Sequence, residues 1–370
     1  MKKFLLPLFF LVFASVCFAQ EDIVQRVIFI GDAGEMNDEQ RQALKMAGNL
    51  VIQNKTNVMF LGDNIYPRGI GLPGEENARS TEQILKSQFE PLRATGAPVY
   101  FTPGNHDWNN SNGNGLKKIR RAGEFLNEQN DPDLKMVPAN GCPDPIEIAL
   151  GDSMTIIAYD SQWWLLKTVN PEDYKDCACK TKDEVVARMQ ELKFKNQGKY
   201  ILLTSHHPFQ SYGPHGSRFR VKDYIFPLTN WKEWLYLPTP LLGLTYVILR
   251  PIVLNQDIRH RMYQDLIGAI EKVFEGTSHV VFVAGHEHGL QFIKNEHLQI
   301  VSGAGAKRTY AKKGKKGSLF SESRQGFVTV DLKSNRNLQI SFYLHKPDHV
   351  EMATSWSLDY ADNLVKVTVP

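Results

Sequence analysis

Val58-Met59-Phe60-Leu61-Gly62-Asp63-Asn64-Ile65-Tyr66 is a short apolar run that stops on a glycine and then offers a carboxylate, an amide and a phenol. Four apolar residues closed by a glycine read as a buried strand, because an amphipathic helix needs about 10–12 residues of periodic pattern. The same punctuation recurs along the chain. Residues 27–30 lead into Gly31-Asp32-Ala33-Gly34, and residues 99–102 are followed by Gly104-Asn105-His106-Asp107. Residues 200–204 lead into Ser205-His206-His207-Pro208, and residues 280–284 into Gly285-His286-Glu287-His288. Residues 155–159 form a further run of this kind.

Between the first runs lie helix-like stretches at 38–54 and 81–92, so the opening half alternates strand and helix as an α/β sheet does. In open α/β sheets the carboxyl ends of strands line the ligand crevice, so five separate ligand-bearing segments are expected to meet at one edge. The glycine before each carboxylate allows a sharp turn and a close approach to an ion or phosphate. From residue 324 onward apolar and polar residues alternate, which predicts antiparallel strands closing the fold over about 324–370.

The donor types point to a cation centre. Carboxylate oxygens, an amide oxygen and several imidazoles suit borderline ions such as iron, zinc or manganese better than calcium or soft copper. Two ions fit the number of donors better than one, and a bridging aspartate can hold a pair about 3.5–4 Å apart around a phosphoryl group in transfer. A lone Gly-Asp or His-x-His is commonly a turn or a polar core pair; five such blocks after five apolar runs are not.

These blocks resemble those of the calcineurin-like metallophosphoesterases, and in particular the purple acid phosphatases of the tartrate-resistant type. The similarity extends to Leu61-Gly62-Asp63-Asn64-Ile65-Tyr66, to Gly285-His286-Glu287-His288-Gly289-Leu290-Gln291 and to Ser302-Gly303-Ala304-Gly305, and it covers about 26–342. It implies an αββα sandwich in which two packed mixed sheets are flanked by helices. It also implies that Asp32, Tyr66 and His288 hold a first metal, that Asn105, His206 and His286 hold a second, and that Asp63 bridges them. The first would be Fe3+ on the Tyr66 phenolate, with Fe2+, Zn2+ or Mn2+ beside it. His106 and His215 are implied to flank the bound phosphate and to steady or protonate the leaving oxygen, while a hydroxide on the metals attacks. His207 stands where the subgroup often has tyrosine. Asp107 and Trp108 are read as supports of the site. The resemblance implies an acid phosphatase-like hydrolase of phosphate monoesters on small molecules or proteins. A phosphodiesterase or nucleotide pyrophosphatase on the same site, and a non-catalytic binding protein of the envelope, are the competing readings.

Bulk properties narrow the setting. The chain has 370 residues, of which 42% are hydrophobic and 22% charged, enough to bury a large core. Its formal charge of +3 gives no nucleic-acid footprint. The start, Met1-Lys2-Lys3 followed by an apolar run to Phe13 and then Cys17-Phe18-Ala19, reads as a secretory signal over 1–19, with the mature domain over 20–370. Export to the periplasm, the medium or the outer envelope is therefore expected. That leaves Cys142, Cys177 and Cys179 in an oxidising compartment, where Cys142 is expected to pair with Cys177 or Cys179.

Two segments stand apart. An insertion at about 217–262 is unusually apolar, with Trp231, Trp234 and Tyr236 followed by Leu241-Leu242-Gly243-Leu244-Thr245-Tyr246-Val247-Ile248-Leu249. Its prolines and Arg250 argue against a spanning helix. Packing on the body as extra core is the favoured expectation, ahead of peripheral membrane contact through about 231–254 and of a dimer contact. The basic loop at 307–317 is read as a solvated loop in preference to a substrate-attracting one.

Overall fold

The computed structural model describes residues 23–368 apart from 231, 233 and 315; the expected signal segment lies outside the described residues. The first half alternates as its sequence predicts. Strand β1 (Ile23–Ile30) is followed by helix α1 (Asp38–Asn49), β2 (Thr56–Phe60), α2 (Ala78–Arg93), β3 (Val99–Phe101), α3 (Gly115–Glu128) and β4 (Leu134–Met136). The centre of the chain supplies β5 (Ile146–Ala149), β6 (Met154–Ala158), α4 (Lys182–Lys195), β7 (Tyr200–Ser205), α5 (Pro240–Val253), α6 (Arg261–Phe274) and β8 (Val280–Ala284). The remaining strands are β9 (Leu290–Lys294), β10 (Leu298–Ser302), β11 (Ser318–Glu322), β12 (Gly326–Lys333), β13 (Leu338–His345), β14 (Val350–Leu358) and β15 (Leu364–Val367).

Two mixed sheets result. One runs β15-β14-β13-β12-β1-β2-β3-β4 and the other β11-β9-β10-β8-β7-β6-β5. In the first, β1 to β4 pair in parallel and the C-terminal strands add antiparallel at the edge of β1. In the second, β6, β7, β8 and β10 are parallel.

Side-chain alternation assigns the layers. Val27, Phe29, Met59 and Leu61 of the first sheet join Ile156, Leu202, Val281 and Phe292 of the second in one buried cluster, so the two sheets pack face to face. The alternate residues Ile28, Ile30, Val58 and Phe60 pack outward with Leu44, Leu85 and Phe125 of α1, α2 and α3. Ile157, Ile201, Leu203 and Phe282 pack outward on the other side with Met189 of α4 and Leu266 and Ile270 of α6. The outcome is the αββα sandwich, and burial on both faces explains why these strands are continuously apolar.

Two expectations need correction. Helix α1 ends at Asn49, short of Asn54, because Leu50 caps it and the chain turns: Ile52 N donates to Thr56 Oγ1 at 2.8 Å and Asn54 takes φ 61°. The insertion does not pack as extra core. Leu241, Ile252 and Trp234 are 81%, 66% and 74% exposed, and α5 packs on other parts of the insertion, Gly243 against Tyr224 and Arg250 against Asp257, with Arg250 Nη2 also 3.4 Å from His215 Nδ1. Of the two disulfide pairings left open, Cys142 bonds Cys177 with Cα atoms 5.6 Å apart, and Cys179 is buried and unpaired.

Candidate metal centre

The blocks after β1, β2, β3, β7 and β8 meet at one edge of the sandwich. Their backbones are driven into an unusual region to do so: Asp32, Asp63 and His286 have φ of 56°, 53° and 67°, where non-glycine residues are rare. Three such residues at three strand ends concentrate strain where the polar groups converge, the pattern of a functional site. The folded chain holds them there by hydrogen bonds. His286 N donates to Asp32 Oδ2 at 2.7 Å and His106 N donates to Asp63 Oδ1 at 2.9 Å. Gly104 packs so closely that a Cβ on it would lie 2.2 Å from Asp63 N.

The seven expected ligands fall into two adjoining groups. In one, Tyr66 Oη donates to Asp32 Oδ1 at 3.0 Å and lies 3.0 Å from His288 Nε2, itself 3.3 Å from Asp32 Oδ1. In the other, Asn105 Oδ1 lies 3.0 Å from His206 Nε2 and 3.1 Å from His286 Nδ1, and those two nitrogens are 3.2 Å apart. Asp63 stands with both, its Oδ1 3.4 Å from His206 Nε2, and Asp32, Asp63 and His206 offer ligand atoms all within 4.8 Å of one another.

Proton bookkeeping shows that the second group suits a cation. His206 Nδ1 faces the Leu61 carbonyl at 2.8 Å and His286 Nε2 faces the Gln256 carbonyl at 2.9 Å. A carbonyl only accepts, so those nitrogens carry the protons and the facing nitrogens carry lone pairs. Two imidazole lone pairs and an amide oxygen thus point at one another. Burial, together with His215 and the neighbouring imidazoles, holds His286 well below the ordinary imidazole range, so a proton is a poor guest there. In the first group burial, then Asp32 and Asp63, push the Tyr66 phenol well above its ordinary range. Asp63 is held below the usual carboxylate range: burial works against this, but His206 and His106 outweigh it. Oxygen and imidazole donors in this number fit two borderline cations.

His207 separates from this set, although it lies within ligand distance of His206 and His286. Its Nδ1 faces Ser161 Oγ at 2.8 Å and its Nε2 faces Gln256 Oε1 at 2.8 Å, so both ring nitrogens are engaged. The supports act as expected: Asp107 accepts from the amides of Gly104, Asn64 and Ile65, tying two ligand loops together, and Trp108 Nε1 donates to Asp160 Oδ2 at 2.7 Å.

The chain matches the calcineurin-like phosphoesterase family over residues 25–236. It belongs to that family. Among solved structures the phosphoesterase is similar to PhoD, at 12% identity and TM-score 0.54, over 94% of this chain and 72% of that one. It is also similar to purple acid phosphatase PPD1 from yellow lupin (Lupinus luteus) seeds, at 14% identity and TM-score 0.52, over 91% of this chain. It spans 54% of the lupin protein's length, and at these identities the likeness is one of fold. No curated protein matches it in sequence. The family makes this chain a metal-dependent phosphoesterase.

His106 and His215 stand at the rim of the centre. His106 Nδ1 faces the Pro67 carbonyl at 2.6 Å, and its Nε2 lies 3.8 Å from Asp63 Oδ2. The His215 ring lies 4.1 Å from that of His286, and its backbone N donates to Glu287 Oε2 at 3.0 Å. Sequence reasoning missed what holds His215. Its Nδ1 lies 2.9 Å from Asp257 Oδ1, and Asp257, wholly buried, accepts from Arg250 on both oxygens. Asp257 and Arg250 come from the insertion, which the apolar pattern marked only for its hydrophobicity; the polar triplet Asn255-Gln256-Asp257 at its end was the available signal.

The basic loop also needs correction. Lys307 Nζ sits 3.8 Å from the centre of the Tyr66 ring and pairs with Glu35, and Thr309 N donates to the His288 carbonyl at 2.7 Å, so the loop's first residues wall the centre. A cavity of about 930 Å³ opens beside it, lined by His215 and His288 and by the cations Arg220, Lys222, Arg250 and Arg308.

Proposed function

We propose that the phosphoesterase is an exported acid phosphatase-like enzyme that hydrolyses phosphate monoesters of small molecules or proteins on a dinuclear centre. Asp32, Tyr66 and His288 would hold one ion, Asn105, His206 and His286 the other, with Asp63 between them. The observation that carries this reading is the division of the donors into two groups joined by Asp63, one of which brings three lone pairs together without a proton to share. Tyr66 in the first group favours Fe3+ there, since a trivalent ion can displace a phenol proton that the protein otherwise retains; Fe2+, Zn2+ or Mn2+ suits the second.

When bound, the two ions supply an activated water and positive charge for the phosphoryl oxygens. The chain's own side chains do the rest. His106, with Nδ1 tied to the Pro67 carbonyl, keeps Nε2 for the phosphoryl oxygens or the leaving oxygen. His215, with Nδ1 held by Asp257, keeps Nε2 for the same task and lines the cavity in which the alcohol part of the ester would lie. Lys222 and Arg308 favour an anionic substrate along that cavity, whose other cations, Arg220 and Arg250, pair with Asp223 and Asp257.

The test is purification of the chain after export, elemental analysis, and turnover of an aromatic phosphate monoester beside the corresponding diester. The reading expects faster monoester turnover and a visible tyrosinate-to-iron band that Tyr66→Phe abolishes. Preferential diester cleavage would replace it with the phosphodiesterase reading, and metal-loaded protein inert to both esters would leave a binding protein.

A further inference from the structure

Helix α5 leaves most of its large apolar side chains outside. A surface helix ordinarily turns its apolar stripe to the body and its polar face to water. Here the buried positions are Gly243 and Pro251, with Tyr246 and Arg250 half-buried beside them: a Cβ on Gly243 would lie 1.9 Å from the Tyr224 carbonyl oxygen, and Arg250 donates to Tyr246 Oη at 3.0 Å and to buried Asp257. The outward positions are Leu241, Leu244, Ile248 and Ile252, spaced three and four apart, with Leu242 and Val253 beside them, all exposed. The only charged residue of the helix is thus spent on an internal ion pair. Exposed Trp234 and Tyr236 extend the apolar surface just before the helix.

Among the described residues of the insertion the exposed charges have one sign. The exposed charged side chains Arg220, Lys232, Arg259 and Arg261 are all cationic, while Asp223 and Asp257 are buried and paired with Arg220 and Arg250; Glu233 adds one carboxylate to the sequence of this stretch. An apolar helix with aromatic residues at its edge and a cationic surround matches the interface of an anionic lipid bilayer, where apolar side chains enter the acyl boundary and cations meet the headgroups. The geometry excludes a span. Fourteen residues reach about 21 Å against a hydrocarbon core of about 30 Å, and no helix among the described residues is long and apolar enough to cross.

We propose that the insertion seats the phosphoesterase on an anionic membrane surface, with α5 lying in the plane of the interface. Because the underside of α5 carries Arg250, which grips the Asp257 that holds His215, one hydrogen-bonded chain joins the docked face to the rim of the site. The active-site cavity, walled by Lys222, Tyr246 and Arg250 of the same insertion, then opens near the headgroup layer. This inference does not depend on which ester is cleaved.

Vesicle flotation tests it, using the chain begun at Gln20, which keeps every described element and removes the apolar leader. The probes are vesicles of phosphatidylglycerol with phosphatidylcholine and vesicles of phosphatidylcholine alone. The wild-type chain is expected to float with the anionic vesicles and to do so less at 0.5 M salt. The triple variant Leu241→Asp, Ile248→Asp, Ile252→Asp, altered only at exposed positions, is expected to partition at least about tenfold less while keeping its metal content and its turnover of a soluble ester. A wild-type chain that stays with the buffer, or a triple variant that floats equally well, would overturn the proposal. Equal flotation on phosphatidylcholine alone would overturn the anionic preference. A wild-type dimer in solution that the triple variant converts to monomer would assign the face to a second copy of the chain instead.

Discussion

His215 Nδ1 lies 2.9 Å from Asp257 Oδ1, and Arg250 donates to both oxygens of that carboxylate, at 2.8 and 3.1 Å. Asp257 is wholly buried, so its charge is balanced by these partners rather than by water. The arrangement fixes the imidazole plane and engages Nδ1, which leaves Nε2 for the proposed contact with the substrate.

Replacing His215 by Ala is therefore expected to cost about 10²–10⁴-fold in kcat, the range of a general acid. Asp257→Asn removes the orienting charge and should cost a smaller part of that, with little change in KM or bound metal. Steady-state kinetics across pH beside elemental analysis checks both variants. Unchanged pH profiles would reduce Asp257 to a packing role.

Gly104 is expected to tolerate no side chain. A Cβ there would lie 2.2 Å from Asp63 N and 2.3 Å from Asp63 Oδ1, and backbone cannot move aside as a flexible side chain can. Gly104→Ala should displace Asp63, destabilise the fold by about 1–3 kcal/mol and reduce metal binding. Denaturant midpoints and metal analysis of the purified variant decide it; a variant with wild-type stability and full metal content would contradict the packing.

Asp160 sets a pH dependence of stability. Burial raises its carboxyl to about 7, against hydrogen bonds from Trp163 N and Trp108 Nε1 that lower it. Near pH 4 the group is protonated in the fold and about half ionised in the unfolded chain. As pH climbs to 7 the unfolded chain releases the proton first, so this group's contribution to stability falls. Relative to wild type, Asp160→Asn should gain about 2–4 kcal/mol between pH 4 and 7, read as the difference in denaturation free energy of the metal-free proteins. A difference that stays flat with pH would refute the raised carboxyl.

Lys307 is expected to tune the Tyr66 side. An ammonium 3.8 Å from the ring centre stabilises electron density on it, an effect of about 0.5–1 kcal/mol at exposed sites and more when dehydrated. In iron-loaded protein Lys307→Ala should move the tyrosinate-to-iron band to longer wavelength, because an unopposed phenolate gives up its electron more easily. An unmoved band would mean that the ammonium turns away once iron is bound.

What was legible in the sequence was whatever is written as a local run followed by a polar stop. Val280–Ala284 was delimited to the residue, and Asp32, Asp63, Asn105, His206 and His286 each follow a strand that the apolar pattern locates. Composition could not tell which way a helix faces. The run at 241–249 reads as core by hydrophobicity alone, but Gly243, Tyr246 and Arg250 take the inward side and leave the leucines outside. Long-range partners were equally hidden. Asp257 lies 42 residues from His215, and Lys307 lies 241 residues from Tyr66, so no local spacing announces either contact. His207 shows the converse, since a histidine adjacent to a ligand is spent on Ser161 and Gln256.

Ion stoichiometry probes the centre most directly. Metal-free protein titrated with Zn2+ or Mn2+, followed by gel filtration and elemental analysis, is expected to retain two ions per chain, falling toward one when Asn105 and His206 are both replaced by Ala. A wild-type chain that saturates with a single ion, or a double variant that still keeps two, would contradict the two-group reading of these donors.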